Sequence, residues 1–434
     1  MNTWLIENGT FLTQDPERPV VRGWLAVRGD RIAGLGEGEA PPEVRSAAQE
    51  RLDGKDLLFL PGLVNTHGHA AMTLLRGYAD DLKLQDWLNN YIWPMEARMT
   101  GDDVYWGTLL AAAEMIRTGT TAFADMYFFM DRAAEAVEMS GMRASLCRGI
   151  IGLGSEAEWR EKVAEGIRFA RDWHGKADGR IRAMLGPHAP YTCPPPVLER
   201  VVEAAHELGL PIHIHMSETA AEVQQNVRDY GVRPAEHLDR VGVFTRPTLL
   251  AHAVHLTDEE IALLAKRGAA VSHNPVSNLK LASGIARVPD MLRAGVAVTL
   301  GTDSVASNNN LDLFEEIKLT AMLHKGVTGD PTVLPAGQVL RMATVDGARV
   351  LGMEDVGMLK EGWKADLIAL RTDRTHFVPR TDFVSHAVYA ACGADVEHVW
   401  VDGRQLMRGR ELLTLDEERI RHEVQRRFER LLKG

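Results

Sequence analysis

The pattern of apolar and polar positions divides the chain into two end regions and a long middle region. Both ends contain short runs in which apolar and polar residues alternate, with turn pairs such as Asp402-Gly403 between them. This alternation is typical of antiparallel strands. Because such strands bury little surface alone, we predict that residues 1–58 and 360–434 form one small composite β-sandwich domain, with a closing charged helix from residue 410 to the C-terminus.

The middle region alternates between β-rich runs and segments of helical period. Eight such strands alternating with helices predict a parallel (β/α)8 TIM-like barrel over residues 59–359 rather than a doubly wound sheet. The β-rich runs are residues 57–67, 120–125, 143–150, 181–189, 212–218, 248–253, 269–275 and 296–303. The helical segments include residues 102–118, 156–173, 195–208, 258–267 and 311–324.

Composition and charge narrow the class of protein. Of the 434 residues, 45% are hydrophobic and 25% are charged, which is ordinary for a globular chain. A net charge of -11 argues against a nucleic-acid partner. The three cysteines form no CxxC pair, and neither a basic leader segment nor an apolar run of about 20 residues is present. We therefore expect a cytoplasmic protein without a membrane partner, and homo-oligomer formation stays open.

Histidines and carboxylates cluster where the predicted strands end. In a parallel barrel these ends converge on one face, so side chains far apart in sequence would meet there. The first strand ends in His67 and His69, the fourth in His188, the fifth in His215 and Glu218, the sixth in His252, the seventh in His273 and the eighth in Asp303. The histidines in helical or loop segments are expected to face solvent: His174, His206, His324 and His376.

Three imidazoles and one carboxylate suit a divalent ion of the zinc or iron(II) type with one position left open. We assign His67, His69, His215 and Asp303 as its ligands. Other interpretations remain: the HxH pair can be two polar residues at a strand end, and Asp303 can cap a following helix. His213 also shares the phase of His215, which is favoured because it lies nearer the strand end.

The remaining residues at this face suggest hydrolytic chemistry. A metal of this type lowers the pKa of a bound water to about 7. Asp303 would accept the water's proton, and His252 would hold the hydroxide by a hydrogen bond. Glu218 would donate a proton to a nitrogen of the substrate ring, a role that requires a raised pKa and hence a dry pocket.

Five motifs carry a resemblance to a known family. The chain contains PGLVNTHGHA, HIHMSET, AHAVHLTDEE, VSHNPVSNLKLASG and LGTDSVASNNNLD. Together they resemble the amidohydrolase superfamily and, within it, the 5′-methylthioadenosine/S-adenosylhomocysteine deaminases and their chlorohydrolase relatives. The similarity extends over nearly the whole chain, including the split β domain.

The resemblance implies roles for further residues. It implies the same four metal ligands, Glu218 as the acid and His252 as the water-binding residue. It also implies one ion, because the fourth strand, MLGPHAPY, lacks the bridging lysine of binuclear members; zinc is favoured, with iron(II) as an alternative. The implied substrate contacts are Trp87, Glu96 at the ribose hydroxyls, Arg148 near the 5′ substituent, His188 and Glu218, and Arg160 is a further candidate near the 5′ substituent.

The implied activity is hydrolytic deamination of 5′-modified adenosines to the inosine analogue and ammonia. The expected partners are small nucleosides: 5′-methylthioadenosine, S-adenosylhomocysteine, 5′-deoxyadenosine or adenosine. An alternative is hydrolysis of C–Cl or C–N bonds on s-triazines or other heterocycles at the same metal site. A third interpretation is a non-catalytic metal-binding scaffold. Such a scaffold would not need an acid, a base and an open metal position together.

Overall fold

Both ends of the chain contribute to one sheet. The computed structural model describes residues 3–433. The strands of this sheet are β1 Thr3–Leu12, β2 Val20–Arg28, β3 Arg31–Glu37, β4 Glu50–Asp53, β5 Leu57–Pro61, β15 Leu367–Arg371, β16 Val396–Val401, β17 Arg404–Arg408 and β18 Glu411–Leu412. Their order in the sheet is β18-β17-β16-β15-β5-β1-β2-β3, with β4 paired to β1. Antiparallel pairing of β15 with β5 joins the two ends of the chain.

The middle of the chain forms two parallel sheets, so the fold is mixed α/β. The first sheet pairs β6 Leu63–Asn65, β7 Thr120–Tyr127, β8 Arg143–Ile150, β9 Ile181–Ala183 and β10 Gly186–Pro187. The second pairs β11 Ile212–Met216, β12 Thr248–His252, β13 Ala270–His273 and β14 Ala297–Leu300. Backbone hydrogen bonds connect the sheets at both edges: His213 N–H donates to the Leu185 carbonyl at 2.9 Å, and Thr66 N–H donates to the Leu300 carbonyl at 2.9 Å.

The helices connecting these strands have clear sequence signals at their N-termini. Ser155 and Glu158 form a capping box at one helix, and Thr257 with Glu260 forms another. The α-helices are α1 Pro42–Ala47, α2 Leu84–Trp87, α3 Trp93–Glu96, α4 Gly101–Arg117, α5 Met130–Ser140, α6 Glu156–Trp173, α7 Pro195–Leu208, α8 Ala220–Tyr230, α9 Pro234–Val241, α10 Asp258–Arg267, α11 Pro275–Lys280, α12 Val288–Arg293, α13 Val305–Asn308, α14 Leu313–Thr328, α15 Ala336–Met342, α16 Val345–Val350, α17 Phe383–Ser385 and α18 Glu417–Lys433.

Short 3-10 and π-helical turns complete the connections. The 3-10 turns are Ala70–Leu75, Val243–Thr245, Thr375–Phe377 and Gly393–Asp395, and the π-helical turns are Leu88–Ile92 and His386–Ala390. The turn at Leu88–Ile92 joins α2 to α3 into one helical segment that lies over the ends of the parallel strands. Within residues 3–433, no helix has the length and apolar character required to cross a membrane.

Predicted and observed elements differ in several respects. The runs at residues 57–67 and 181–189 are each two strands, β5 with β6 and β9 with β10. Between β5 and β6, Gly62 packs so closely on Thr121 that a Cβ there would lie 2.0 Å from its Oγ1. The closing helix begins at Glu417 rather than residue 410, since β18 takes up Glu411–Leu412; its predicted last residue lies outside the described range. His324 is buried rather than solvent-facing, because α14 packs it against His273, with 3.2 Å between the two Nε2 atoms.

A buried ion cluster connects the shared sheet to the parallel strands. Arg143, at the start of β8, donates to both carboxylate oxygens of Asp366, at 2.5 and 3.0 Å, and also binds Asp402. The side chains of Arg143 and Asp366 are only 5% and 1% exposed. Removing one partner from such a pair leaves an uncompensated buried charge.

We expect Arg143→Met to lower the free energy of unfolding by about 3–5 kcal/mol, because it leaves the buried Asp366 carboxylate without its cationic partner. Urea unfolding followed by circular dichroism measures the change. The matched control is Arg426→Ala, which breaks an exposed pair with Glu423 within α18 and should cost less than about 1 kcal/mol. Equal effects of the two substitutions would contradict the expectation.

Candidate active site

A cleft with about 710 Å³ of empty space, part of it open to solvent, lies at the carboxyl ends of the parallel strands. This is the position at which such folds bind small molecules. Its walls combine strand-end residues with the helical segment at residues 84–96. The lining residues are His69, Met72, Leu84, Trp87, Leu88, Ile92, Trp93, Glu96, Met126, Tyr127, Phe128, Gly149, Ile151, His188, Tyr191, His215, Glu218, His252, Leu281, Asp303 and Ser304.

Each of the three predicted histidine ligands has its Nδ1 atom engaged away from the cleft. His69 Nδ1 donates to the Met126 carbonyl at 2.6 Å, and His215 Nδ1 donates to the His188 carbonyl at 2.7 Å. His67 Nδ1 donates to Nε2 of His213 at 2.9 Å. The ring of His213 accepts there because its own Nδ1 donates to a backbone carbonyl at 3.1 Å. These bonds fix the tautomer and leave each ligand's Nε2 lone pair facing the site.

The local chain path explains this orientation. His67 and His69 do not lie on β6 but follow its end, and His69 directly precedes the 3-10 turn at Ala70–Leu75. Their rings are nearly perpendicular, with centroids 4.9 Å apart. The two imidazoles therefore approach the site from different directions instead of side by side on one strand face.

The Nε2 atoms converge with Asp303 on one point. Asp303 Oδ1 lies 3.4 Å from Nε2 of His67 and 3.4 Å from Nε2 of His69, and Nε2 of His215 lies 3.3 Å from that of His69. Ligands about 2.0–2.1 Å from a tetrahedral zinc ion are separated by roughly 3.3 Å. Moreover, Nε2 of His67 is buried and has no hydrogen-bond partner within the described chain. The residues therefore fit a divalent ion.

Electrostatics keep this donor set ready for a cation. Burial lowers the pKa of His67 to about 4 and that of His215 well below its usual value, so both rings are neutral. Burial would raise the pKa of Asp303, but its 3.4 Å contact with His67 and the nearby imidazoles of His252 and His69 hold that pKa well below its usual value. Asp303 is also oriented, since the hydroxyls of Ser277 and Ser307 donate to its Oδ2 at 2.6 and 2.9 Å.

Glu218 and His252 line the cleft beside the predicted metal ligands. Glu218 Oε2 lies 3.8 Å from His252 Nε2, and His252 Nδ1 donates to the Asn278 side-chain carbonyl at 2.8 Å. Burial raises the pKa of Glu218. Burial alone would lower the pKa of His252, but the carboxylates of Glu218 and Asp303 reverse the effect and raise it. This pair can therefore hold and exchange a proton beside the metal ligands.

The turn that contains Glu218 is held by hydrogen bonds to another buried carboxyl group. Glu222, in the first turn of α8, accepts the backbone N–H groups of Ser217 and Glu218, each at 2.8 Å. Ser217 has a positive φ of 53°, a conformation that a non-glycine residue adopts only when its surroundings hold it. Thus Glu222 fixes the direction in which the chain leaves β11.

The opposite wall contains Glu96, Trp87 and His188. Glu96 Oε1 accepts a 2.7 Å hydrogen bond from the Tyr127 hydroxyl, and burial raises the pKa of Glu96 to about 7 in spite of that bond. Trp87 is buried in the same helical segment. His188 lines the cleft with its Nδ1 held 2.9 Å from Thr192 Oγ1, and burial lowers the pKa of His188 to about 3.

Two arginines lie outside the cleft lining. Strand alternation directs Arg148 toward α6, where it pairs with Glu165 at 2.8 Å and packs its guanidinium 5.5 Å from the Phe128 ring centroid. Arg160 is exposed on α6 and pairs with Glu156 at 2.7 Å. The structure thus brings together every site residue predicted from the sequence except Arg148 and the further candidate Arg160.

Several site residues were not anticipated from the sequence. Tyr127 and Phe128 occur in the MYFF run at the end of β7, and an aromatic run at a strand end is the signal that would have found them. Ser277 and Asn278 act on Asp303 and His252 through hydrogen bonds that join separate elements, so no local pattern marks them. Glu222 acts locally, through the backbone N–H groups of Ser217 and Glu218.

Comparison with known proteins agrees with this geometry. The model of the amidohydrolase family matches residues 58–406. The chain belongs to this family. It is 56% identical over 382 residues to a 5-methylthioadenosine/S-adenosylhomocysteine deaminase of Dictyoglomus thermophilum, covering 88% of this chain and 89% of the relative. It is 50% identical over 429 residues to a 5'-deoxyadenosine deaminase of Methanosarcina mazei, covering 99% and 98%.

Among solved structures, this amidohydrolase is similar to an adenosine deaminase from Xanthomonas campestris with bound zinc. The two share 38% identity and a TM-score of 0.93, with 99% of each chain covered. The match extends over the shared sheet as well as the parallel strands. The predicted family and the mixed α/β fold are thereby confirmed.

We expect the protein loaded with Zn²⁺ and then dialysed to retain about one ion per chain. His69→Ala and Asp303→Asn each remove a converging ligand and should reduce the retained zinc well below one equivalent. Atomic absorption of the dialysed protein measures this. His206→Ala, an exposed imidazole on α7, is the control, and a loss of zinc in that variant alone would refute the assignment.

Proposed function

We propose that this amidohydrolase deaminates 5′-modified adenosines, including 5′-methylthioadenosine, S-adenosylhomocysteine and 5′-deoxyadenosine, to the inosine analogue and ammonia. One observation supports it above all. Three of the proposed metal ligands, His69, His215 and Asp303, line the same cleft as the buried acid Glu218 and the carboxyl group of Glu96, and His67 lies within metal-binding distance of His69 and Asp303. Relatives at 50–56% identity that are named for such deamination agree with this proposal.

The proposed ligands are His67, His69, His215 and Asp303, holding one divalent ion, with zinc favoured over iron(II). Such an ion supplies Lewis-acid activation of a water molecule. The donor set contains nitrogen and oxygen atoms without thiolates, which suits either metal. No lysine side chain lines the cleft within the described residues, in keeping with one ion.

The proton transfers are assigned to the chain's own side chains. Asp303, ionised and held by two serine hydroxyls, accepts the proton of the water whose oxygen adds to C6 of the adenine ring. His252 orients that oxygen. Glu218, whose pKa is raised by burial, donates a proton to the neighbouring ring nitrogen. Asp303 passes the proton taken from water to the amino group, the C–N bond breaks to release ammonia, and the proton of the new C6 hydroxyl returns to Glu218.

Substrate contacts are proposed at the other wall. Glu96 accepts hydrogen bonds from the ribose hydroxyls, Trp87 packs against the sugar, and His188 contacts the substrate near the metal ligands. A carboxylate in this position rejects molecules that lack the diol, because its buried acceptor is then left unpaired. The contact of Arg148 with the 5′ substituent stays a prediction, since its guanidinium pairs with Glu165.

We assign residues 59–359 to a (β/α)8 barrel, and residues 1–58 and 360–434 to a composite β-sandwich domain. Hydrogen bonds at both edges of the two parallel sheets support closure into a barrel. The pairing of β5 with β15 supports the composite domain.

The proposed activity is tested by measuring the decrease in absorbance as the adenine ring of the nucleoside is converted to a hypoxanthine ring. Zinc-loaded protein should turn over 5′-methylthioadenosine and 5′-deoxyadenosine and leave free adenine nearly unchanged. Glu218→Gln should lower kcat by about 10²-fold or more, the scale of a lost general acid. Its matched control is Glu236→Gln, on the surface of α9.

A triazine substrate in the same assay tests the alternative. Release of chloride from a chloro-s-triazine with no turnover of any adenosine would replace the proposal by the heterocycle hydrolase. Glu96→Ala separates the two activities, because a triazine has no diol for that carboxylate to bind.

A further inference from the structure

Tyr127 is buried at the end of β7, and its ring forms part of the cleft wall. Its hydroxyl lies 2.7 Å from Glu96 Oε1 and 3.4 Å from Met99 Sδ. The thioether is a weak acceptor and the carboxylate a strong one, so the hydroxyl proton belongs to the bond with Glu96. The contact joins a strand of the parallel sheet to α3, at the end of the helical segment that covers the cleft.

This bond leaves the Glu96 carboxylate asymmetric. Oε1 has one lone pair engaged by Tyr127, whereas no side chain or backbone donor of the described residues bonds Oε2. The side chain thus has a fixed orientation with one free oxygen on the cleft side. Loss of rotational freedom before binding removes an entropic cost that ordering on the ligand would otherwise impose.

We propose that Tyr127 is a specificity-determining positioning residue, which holds Oε1 of Glu96 so that the carboxylate presents acceptor oxygens to both ribose hydroxyls. This inference rests on the proposed nucleoside substrate. Tyr127 acts through Glu96 and does not touch the reacting atoms. It therefore governs which sugars bind, while the proton transfers at Asp303 and Glu218 proceed independently of it.

The charge state of Glu96 supports the same role. Burial raises the pKa of this carboxyl to about 7, while the Tyr127 bond and the nearby His69 imidazole oppose the rise. A protonated carboxyl would present a donor where two hydroxyl donors arrive. The phenol donates without introducing a charge, and burial beside Glu96 raises the pKa of Tyr127 well above its usual value, so it stays a donor.

The test is Tyr127→Phe, which keeps the ring and removes the hydroxyl. With 5′-methylthioadenosine, KM should rise about tenfold, the factor that corresponds to one hydrogen bond, while kcat at saturation changes less than about twofold. With the 2′,3′-dideoxy analogue, which has no diol, KM should equal that of the unaltered protein. Tyr105→Phe on α4, outside the cleft lining, is the matched control.

A double-mutant cycle separates positioning from a general structural effect. If Tyr127 acts through Glu96, adding Tyr127→Phe to Glu96→Gln should change KM by less than about twofold. Thermal unfolding and zinc content of each variant establish that the fold and metal site are retained. The cycle also includes Glu96→Asp, whose shorter side chain retreats from the hydroxyl and should reproduce the KM increase of Tyr127→Phe.

Two results would overturn the inference: an unchanged KM for 5′-methylthioadenosine in Tyr127→Phe, or an equal rise in KM for the dideoxy analogue. Additive effects of the Tyr127 and Glu96 substitutions would do the same. Failure of the proposed function gives a different result, because the unaltered protein would then deaminate none of these nucleosides.

Discussion

The site depends on imidazole rings whose protons point away from its centre. His69 and His215 donate through Nδ1 to backbone carbonyls, and His67 donates to His213. Those acceptors belong to neighbouring parallel strands or to the loops after them. The pairing of the strands therefore also determines the orientation of the rings. Burial lowers the pKa of His67 and that of His215, so the lone pairs of these two rings that face the centre are available to a cation. The chemistry assigned to the cleft follows from this arrangement.

Three carboxyl groups in the same cleft differ because their surroundings differ. Asp303 stays ionised, since two hydroxyls and several imidazoles face it. Burial raises the pKa of Glu218, whose side-chain donors are few. The surroundings of Glu96 are intermediate between these two cases, because apolar residues enclose its carboxyl group and one phenol donates a hydrogen bond to it. In the proposed function the carboxyl group thus serves as a base, as an acid and as a binding group, and the neighbouring residues decide which.

The parts of the molecule that follow from local patterns were predictable from the sequence. Helices such as Glu156–Trp173 carry their own caps and apolar period, so their bounds matched the prediction. The strand-end histidines were found because parallel strands share one polarity. The break at Gly62 was missed, and so was the burial of His324, which arises from its contact with His273 on another element. Tyr127 was missed because its role comes from a bond to Glu96 on α3, and Glu222 because its bonds to the backbone of Ser217 and Glu218 leave no mark in the residue pattern.

The shared sheet has a mechanical consequence for the cleft. β5 ends at Pro61, β6 begins at Leu63, and the first metal-ligand candidate is His67, so only a few residues of chain lie between the two regions. β5 is itself paired on one side with β1 and on the other with β15. The chain that leads to His67 is therefore held by strands from both terminal regions of the polypeptide. The position of this candidate ligand thus depends on residues that lie more than 300 positions apart in the sequence.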